Sequence, residues 1–391
     1  MRLFHDSPKN YVFFGFFIYA VALGALFPRL ADLQTQMDIS KAALGLALVG
    51  LPVGVQITLL FADRLVRQIP LRLLIGLGIP VIGLSQCLAG LATSPVPFFI
   101  CLMLGGSAVA VIEVAVNLEA DRVEAKTGTR IMNRSHAYWS FGFFTASMVG
   151  AAFGQFAISP FVNFVIVTVL ATLASNLVFS KYTPAERRHK GTPEKASLVV
   201  LPSYAVSMLV LFSLSAMLVE GSSIDWSIIF MRDEFDTLPL VEGLALVCAA
   251  LSQAVVRYFA DPLVERFGPR SVASASVVGM GIGVILVSCS MSPAMALVGF
   301  LFMGGGSAVI FPLAMSAAAG RDDRPSEENV AALAQFAFAT FLIAPPLLGI
   351  ISEHYGLRVA FAVALPFILL SFLKRTVMAK TSPSEADKSG T

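Results

Sequence analysis

The sequence predicts an all-α membrane protein whose twelve transmembrane helices form two six-helix, pseudo-symmetric halves. Three observations carry that expectation. Of 391 residues, 57% are hydrophobic and 13% charged, with a mean hydropathy of +0.80; a soluble domain carries about a quarter charged residues. Apolar runs of about 20 residues, each able to cross a hydrocarbon core of about 30 Å, follow one another with little polar sequence between them. They lack the ten-residue alternation of a barrel, and backbone groups in lipid must be satisfied within the segment, so the runs are helices. The third observation is an internal repeat, set out below.

In chain order, the polar start MRLFHDSPKN leads into an apolar run too long for a cleaved signal. Spans are predicted near 11–31, 41–63, 71–92, 97–119, 135–158, 161–180, 202–230, 240–263, 271–291, 294–317, 328–352 and 357–378. The longest polar interruption begins at Lys181 and is rich in proline and charge, which marks a central linker. The expected organisation is a first bundle over 1–180, a cytoplasmic linker over 181–201, a second bundle over 202–379 and a disordered tail over 380–391. With the N-terminus inside, 23 of the 27 lysines and arginines fall on the inner side, leaving Arg29, Lys41, Arg232 and Arg358 outside. That asymmetry predicts a multi-pass membrane protein with both termini cytoplasmic. The net charge of +2 offers nothing to nucleic acid, and the four cysteines, all in apolar runs without CxxC spacing, read as packing residues.

The repeat joins the halves. Phe61-Ala62-Asp63 recurs as Phe259-Ala260-Asp261 at an offset of 198, with Arg72 opposite Arg270, and Ser94-Pro95 recurs as Ser292-Pro293 at the same offset. Gly105-Gly106-Ser107-Ala108-Val109 recurs as Gly305-Gly306-Ser307-Ala308-Val309 at 200. Six spans separate the copies, an even number, so the repeats are parallel and related by an axis along the membrane normal. The glycines allow close helix contact rather than phosphate binding, since no strand-turn-helix context surrounds them.

Chemistry concentrates between Glu113 and Gly142. Glu113 and Asn117 are four residues apart on one helical face, and Glu113 lies about 24 Å into its span at about 1.5 Å per residue. A carboxylate at that depth is a functional candidate, either a proton carrier or an acid that locks spans 4 and 5 together. Trp139 and Ser140 return to the same depth on the next helix. His136, one turn into span 5, is a polar helix-end group or a second proton relay. Trp139 is preferred over Tyr138 because it lies three residues beyond His136 and its flat indole can stack on the apolar face of a ring. Glu119, Asp121, Arg122 and Glu124 read as solvated helix-end charges. Span 7 is long and interrupted by Gly221-Ser222-Ser223, which predicts a broken helix presenting Glu220, Asp225 and Trp226 to a cavity, with Arg29 as their partner across the pseudo-twofold; Asp225 alternatively joins an acidic external loop. Gln335 completes the candidate substrate-binding set. Asp63, Arg257, Asp261 and Arg270 form a candidate inner gate.

Two six-span halves, a basic central loop and acidic-basic turns after spans 2 and 8 resemble the major facilitator superfamily over the whole chain. The turn Glu265-Arg266-Phe267-Gly268-Pro269-Arg270 is similar to its D-R-x-G-R-R signature, while the first-half copy, with Arg67-Gln68-Ile69-Pro70, is degenerate. Glu113 and Asn117, followed by Arg130, Asn133, His136 and Ser140-Phe141-Gly142, resemble the fucose:proton symporter branch, in which the Glu titrates a proton and the next helix contacts sugar. His136 stands where those symporters have Gln, and the first span lacks their carboxylate. Glu220 to Ser227 together with Phe27-Pro28-Arg29 resembles a bacterial subgroup that includes a rhizopine transport protein. The resemblance implies a major facilitator fold and a monomeric, proton-coupled uptake transporter of a small polyhydroxylated solute, a sugar or cyclitol, in the lipid bilayer, working by alternating access. An exporter of sugars, drugs or other small amphiphiles, and a non-transporting sensor or scaffold, remain as alternatives. No metal constellation, catalytic triad or ATPase motif is present in the sequence, so neither a cofactor nor an enzymatic activity is expected.

Overall fold

The computed structural model describes residues 7–129, 131–180, 182–185, 201–321 and 323–378. Most of the predicted linker and the whole predicted tail, 380–391, lie outside the described residues. Among those described, eleven helices are long and apolar enough to cross a membrane. These are span 1 (Pro8–Met37), span 2 (Lys41–Ala62), span 3 (Leu71–Ala89), span 4 (Pro95–Thr127), span 6 (Pro160–Phe179), span 7 (Tyr204–Phe235), span 8 (Pro239–Tyr258), span 9 (Pro269–Ser288), span 10 (Pro293–Ala319), span 11 (Glu328–Tyr355) and span 12 (Leu357–Val377). The helix Met132–Gln155 supplies the twelfth, span 5. It is less apolar than the others and packs on spans 1 and 8.

Local signals start and stop these helices. Ser94-Pro95, Ser159-Pro160 and Ser292-Pro293 each place an N-cap serine before a proline in the first turn, where the missing N–H costs nothing. Ser159 and Ser292 accept from the N–H of Val162 and Met295. Asp38 and Asp236, 198 residues apart, end spans 1 and 7 with the same left-handed backbone, φ 51° and 48°, so the repeat is visible in the caps. Gly268 takes φ 79° where the short amphipathic helix Ala260–Phe267 turns into span 9, a conformation that side chains oppose.

The repeat also holds in the packing. A Cβ on Gly106 would stand 2.1 Å from the Leu51 carbonyl of span 2, and one on Gly105 would stand 2.4 Å from Ser85 of span 3. In the other half, Gly304 abuts Ala249 of span 8 and Gly306 abuts Met280 of span 9. Spans 4 and 10 therefore press against equivalent neighbours through their glycine runs.

Span 7 corrects one expectation. It is a continuous helix of 32 residues, not a broken one. The hydroxyls of Ser222 and Ser223 donate to the Val219 carbonyl at 2.9 and 2.8 Å, so both polar groups are satisfied within the helix.

Candidate functional site

Glu113 projects from span 4 into the first bundle. Asn117 Nδ2 donates to its carboxyl at 2.9 Å and to its backbone carbonyl at 2.8 Å, as the four-residue spacing requires. Tyr19, 2% exposed on span 1, sets its hydroxyl against both the Glu113 carboxyl and the Trp139 indole. Trp139 stacks on Phe143, with centroids 5.4 Å apart and an interplanar angle of 19°. His136 meets the edge of Phe16 at 5.1 Å. Glu113, Asn117 and Trp139 thus come together as predicted, and Tyr19 joins them unannounced, because a tyrosine in an apolar run carries no periodic signal. Every described partner of the Glu113 carboxyl is neutral. An amide and a phenol can each serve a carboxyl in either protonation state, so the site can change charge without losing its contacts.

A second cluster ties the halves together. Arg257 of span 8 donates from Nη1 to Ser140 Oγ of span 5 at 3.0 Å, and its Nη2 lies 3.4 Å from both oxygens of Glu220 on span 7. Its Nε donates to the Ala308 carbonyl at 3.1 Å. That carbonyl is vacant for a local reason: Pro312, four residues on, has no N–H to offer it, and span 10 breaks there into the helices Pro293–Ser307 and Ile310–Ala319. The Arg257 and Glu220 side chains are 14% and 12% exposed. Beside them a small cavity is lined by Phe143, Glu220, Ser223, Gln253, Gly304 and Ser307 among others.

The remaining predicted residues divide. Ser140 serves Arg257 and also donates to the His136 carbonyl at 3.2 Å. Asp225 is half-buried, with no hydrogen-bond or ion-pair partner among the described residues. Trp226 is 1% exposed, packed in the hydrophobic core rather than presented to the cavity. Arg29, also buried, bonds Asp32 and the Ile158 carbonyl, both at 2.6 Å, instead of Glu220 or Asp225; partners in its own bundle are nearer than those across the interface. Gln335 lies half-buried on span 11. Of the candidate gate, Arg257 turns inward to Glu220, while Asp261 and Arg270 are exposed. The side chains of Asp63 and Asn133, and the whole of Arg130, lie outside the described residues.

Two of the presumed solvated charges are engaged by protein, and the first of them is buried. Glu119 is 2% exposed and accepts from the Tyr182 hydroxyl at 2.6 Å and the Ala185 N–H at 2.7 Å, with Arg122 at 3.2 Å. Burial and this carboxylate push the Tyr182 hydroxyl well above its ordinary value, so it remains a donor. Glu124 accepts from the N–H groups of Ile131 and Met132, satisfying the start of span 5.

At the end of the bundle remote from the linker, the halves are pinned together. Arg232 donates to Gln34 Oε1 at 2.8 Å and to the Ala31 carbonyl at 3.0 Å; Lys41 pairs with Asp233 at 2.9 Å, and its N–H meets Glu353 at 2.9 Å. Gln34 and Arg232 are themselves 198 residues apart, so this seal joins repeat-equivalent positions. At the linker end, Arg134 lies over the Tyr258 ring at 5.8 Å.

Comparison with known proteins agrees with this architecture. The model of the Major Facilitator Superfamily matches residues 12–236 and 200–390. The chain is 28% identical over 380 residues to the uncharacterized transporter y4wD of Sinorhizobium fredii, covering 94% of this chain and 99% of the relative. It is 23% identical over 350 residues to the membrane protein MosC of Rhizobium meliloti, covering 88% and 84%. Among solved structures, the fold is similar to a variant of the nucleoside transporter NupG (TM-score 0.76, 12% identity, 96% and 100% covered) and to the E. coli fucose:proton symporter FucP (TM-score 0.64, 16% identity, 96% and 99% covered). Twelve spans in two repeated halves, a charged cluster between them and a family match along the whole chain have one reading: the protein is a multi-pass membrane transporter of the Major Facilitator Superfamily.

Proposed function

We propose that the protein couples proton entry to uptake of a small, neutral, polyhydroxylated solute, with Glu113 as the proton carrier, working as a monomer in the bacterial inner membrane with both termini cytoplasmic. The observation that carries this reading is the neutral setting of Glu113. A carboxyl within the span, held by Asn117 and Tyr19 and by no described cation, is stable when protonated; when the cavity is wetted it can give the proton up. Trp139, touching Tyr19 and stacked on Phe143, connects this acid to the wall of the cavity beside Glu220. The lysine and arginine asymmetry of the loops supports the orientation, and the resemblance of the Glu113 to Gly142 stretch to fucose:proton symporters supports the solute class.

The test uses proteoliposomes with a pH-sensitive dye, challenged with myo-inositol and, separately, D-galactose. At least one should drive proton movement in the native protein. Glu113→Gln keeps the size and hydrogen bonding but removes the proton; it should abolish solute-driven proton movement and leave solute exchange intact. A Gln variant that still moves protons with its solute would make Glu113 a structural acid and move coupling to His136, Glu220 or Asp225.

A further inference from the structure

Gln253 sits on span 8, one turn before Arg257 and on the same face. It is 7% exposed, it lines the cavity with Glu220, and its carboxamide has no hydrogen-bond partner among the described residues. Buried amides in folded proteins are almost always paired. One left open toward a cavity has its partner in whatever enters.

We propose that Gln253 is a solute-recognition residue, holding, together with Glu220, a hydroxyl-bearing edge of a neutral solute. The proposal rests on the transport reading above and adds a residue and a selection rule to it. The rule follows from counting donors. Ser223 Oγ spends its proton on the Val219 carbonyl and Ser307 Oγ on the Gly304 carbonyl, so both offer the cavity lone pairs only. Glu220 is an acceptor, and the Arg257 guanidinium is engaged by Glu220, Ser140 and Ala308. The wall therefore has a surplus of acceptors, and the amide of Gln253 is its open donor, with a carbonyl oxygen beside it. A carboxylate solute would face Glu220 and two serine lone pairs with one amide to serve it. A ring bearing hydroxyls supplies the missing donors and accepts from Gln253 in return.

The rule makes Gln253 a specificity residue. Sites built to hydrogen-bond a polar group discriminate strongly because the protein group is left unpaired by the wrong solute. It also separates recognition from structure: an amide with no protein partner contributes nothing to the fold that leucine of similar size would remove.

The experiment measures binding to the purified full-length protein by titration calorimetry, without a pH gradient, so proton coupling can fail independently. The probes are myo-inositol and D-galactose, with succinate as the anionic control. At least one of the two polyols should bind the native protein and succinate should not. Gln253→Leu should weaken that binding ten-fold or more while its thermal unfolding midpoint stays equal or rises; Gln253→Glu, which keeps the shape and removes the donor, should also bind more weakly. Binding by Gln253→Leu as tight as native, no polyol binding by the native protein, preference for succinate, or a leucine variant that unfolds earlier than native would each overturn the proposal.

Discussion

Replacing Glu220 by Gln, Arg257 by Met, and both together measures the ion pair that links spans 7 and 8 and, through Ser140, the two bundles. At 3.4 Å and an effective dielectric of about 20, the Coulomb attraction is about 5 kcal/mol, and removing one partner of a buried pair typically costs about 3–5 kcal/mol because the other charge is left uncompensated. Each single variant should therefore lose about 3 kcal/mol or more. Arg257→Met also frees the Ala308 carbonyl that Pro312 leaves without an intrahelical donor, so its loss should exceed that of Glu220→Gln by about 1 kcal/mol. The double variant has no stranded charge and should be much less unstable than the sum, giving a coupling of about 2 kcal/mol or more. Reversible unfolding in mixed detergent micelles, titrated with a denaturing detergent, reads all four proteins. Additive losses, with coupling below about 0.5 kcal/mol, would refute the pairing and leave the two groups as independent cavity charges.

Other outcomes follow from particular contacts. Gly54→Ala puts a Cβ 1.9 Å from the Met103 carbonyl where spans 2 and 4 cross; the helices must part, at a cost of about 1–3 kcal/mol in the same unfolding assay, and a neutral effect would disprove so close a crossing. Lys41→Glu turns an attraction of about 1 kcal/mol or less with Asp233 into repulsion, so paired spin labels across that end should move apart, with Asp233→Lys restoring the native distance; unchanged distances would remove this pair from the seal. Hydrogen bonds from Ser203 and Asn329 hold the Asp323 carboxyl below the usual carboxylate range. Its contribution is present above the ordinary aspartate value and is lost as pH falls through the lower folded value. Pulsed hydrogen exchange should then find the start of span 7 opening in acid in the native protein, and opening independently of that pH change in Asp323→Asn.

Much of the fold was legible because each half repeats signals that act over a few residues. Apolar length sets a span, Ser-Pro opens one, and a glycine run marks a close crossing whichever bundle it lies in. The acid of the first bundle was legible for a related reason: four-residue spacing alone brings Asn117 to Glu113. Residues whose partners lie on another helix were not. Arg257 was read as a mouth charge from its neighbour Asp261, yet its long side chain reaches inward to Glu220. Glu119 was read as solvated because the sequence around it is charged, yet the segment entering the linker folds back over it. Gln253 gives no periodic or motif signal, since one amide among alanines and valines reads as any polar residue of a span.

The sequence by itself determined the membrane class, the twelve spans, the parallel repeat and the pairing of Asn117 with Glu113, all of which depend on hydrophobic length and on spacing within one helix. Only the tertiary structure decided that span 7 runs unbroken, that Trp226 faces the core, that Arg29 stays within its own bundle and that Arg257 joins both. Those outcomes depend on which helices touch and at what register. Between helices in lipid that choice is made by close packing and by the few polar groups that find partners across an interface, neither of which is written in the order of residues along one span.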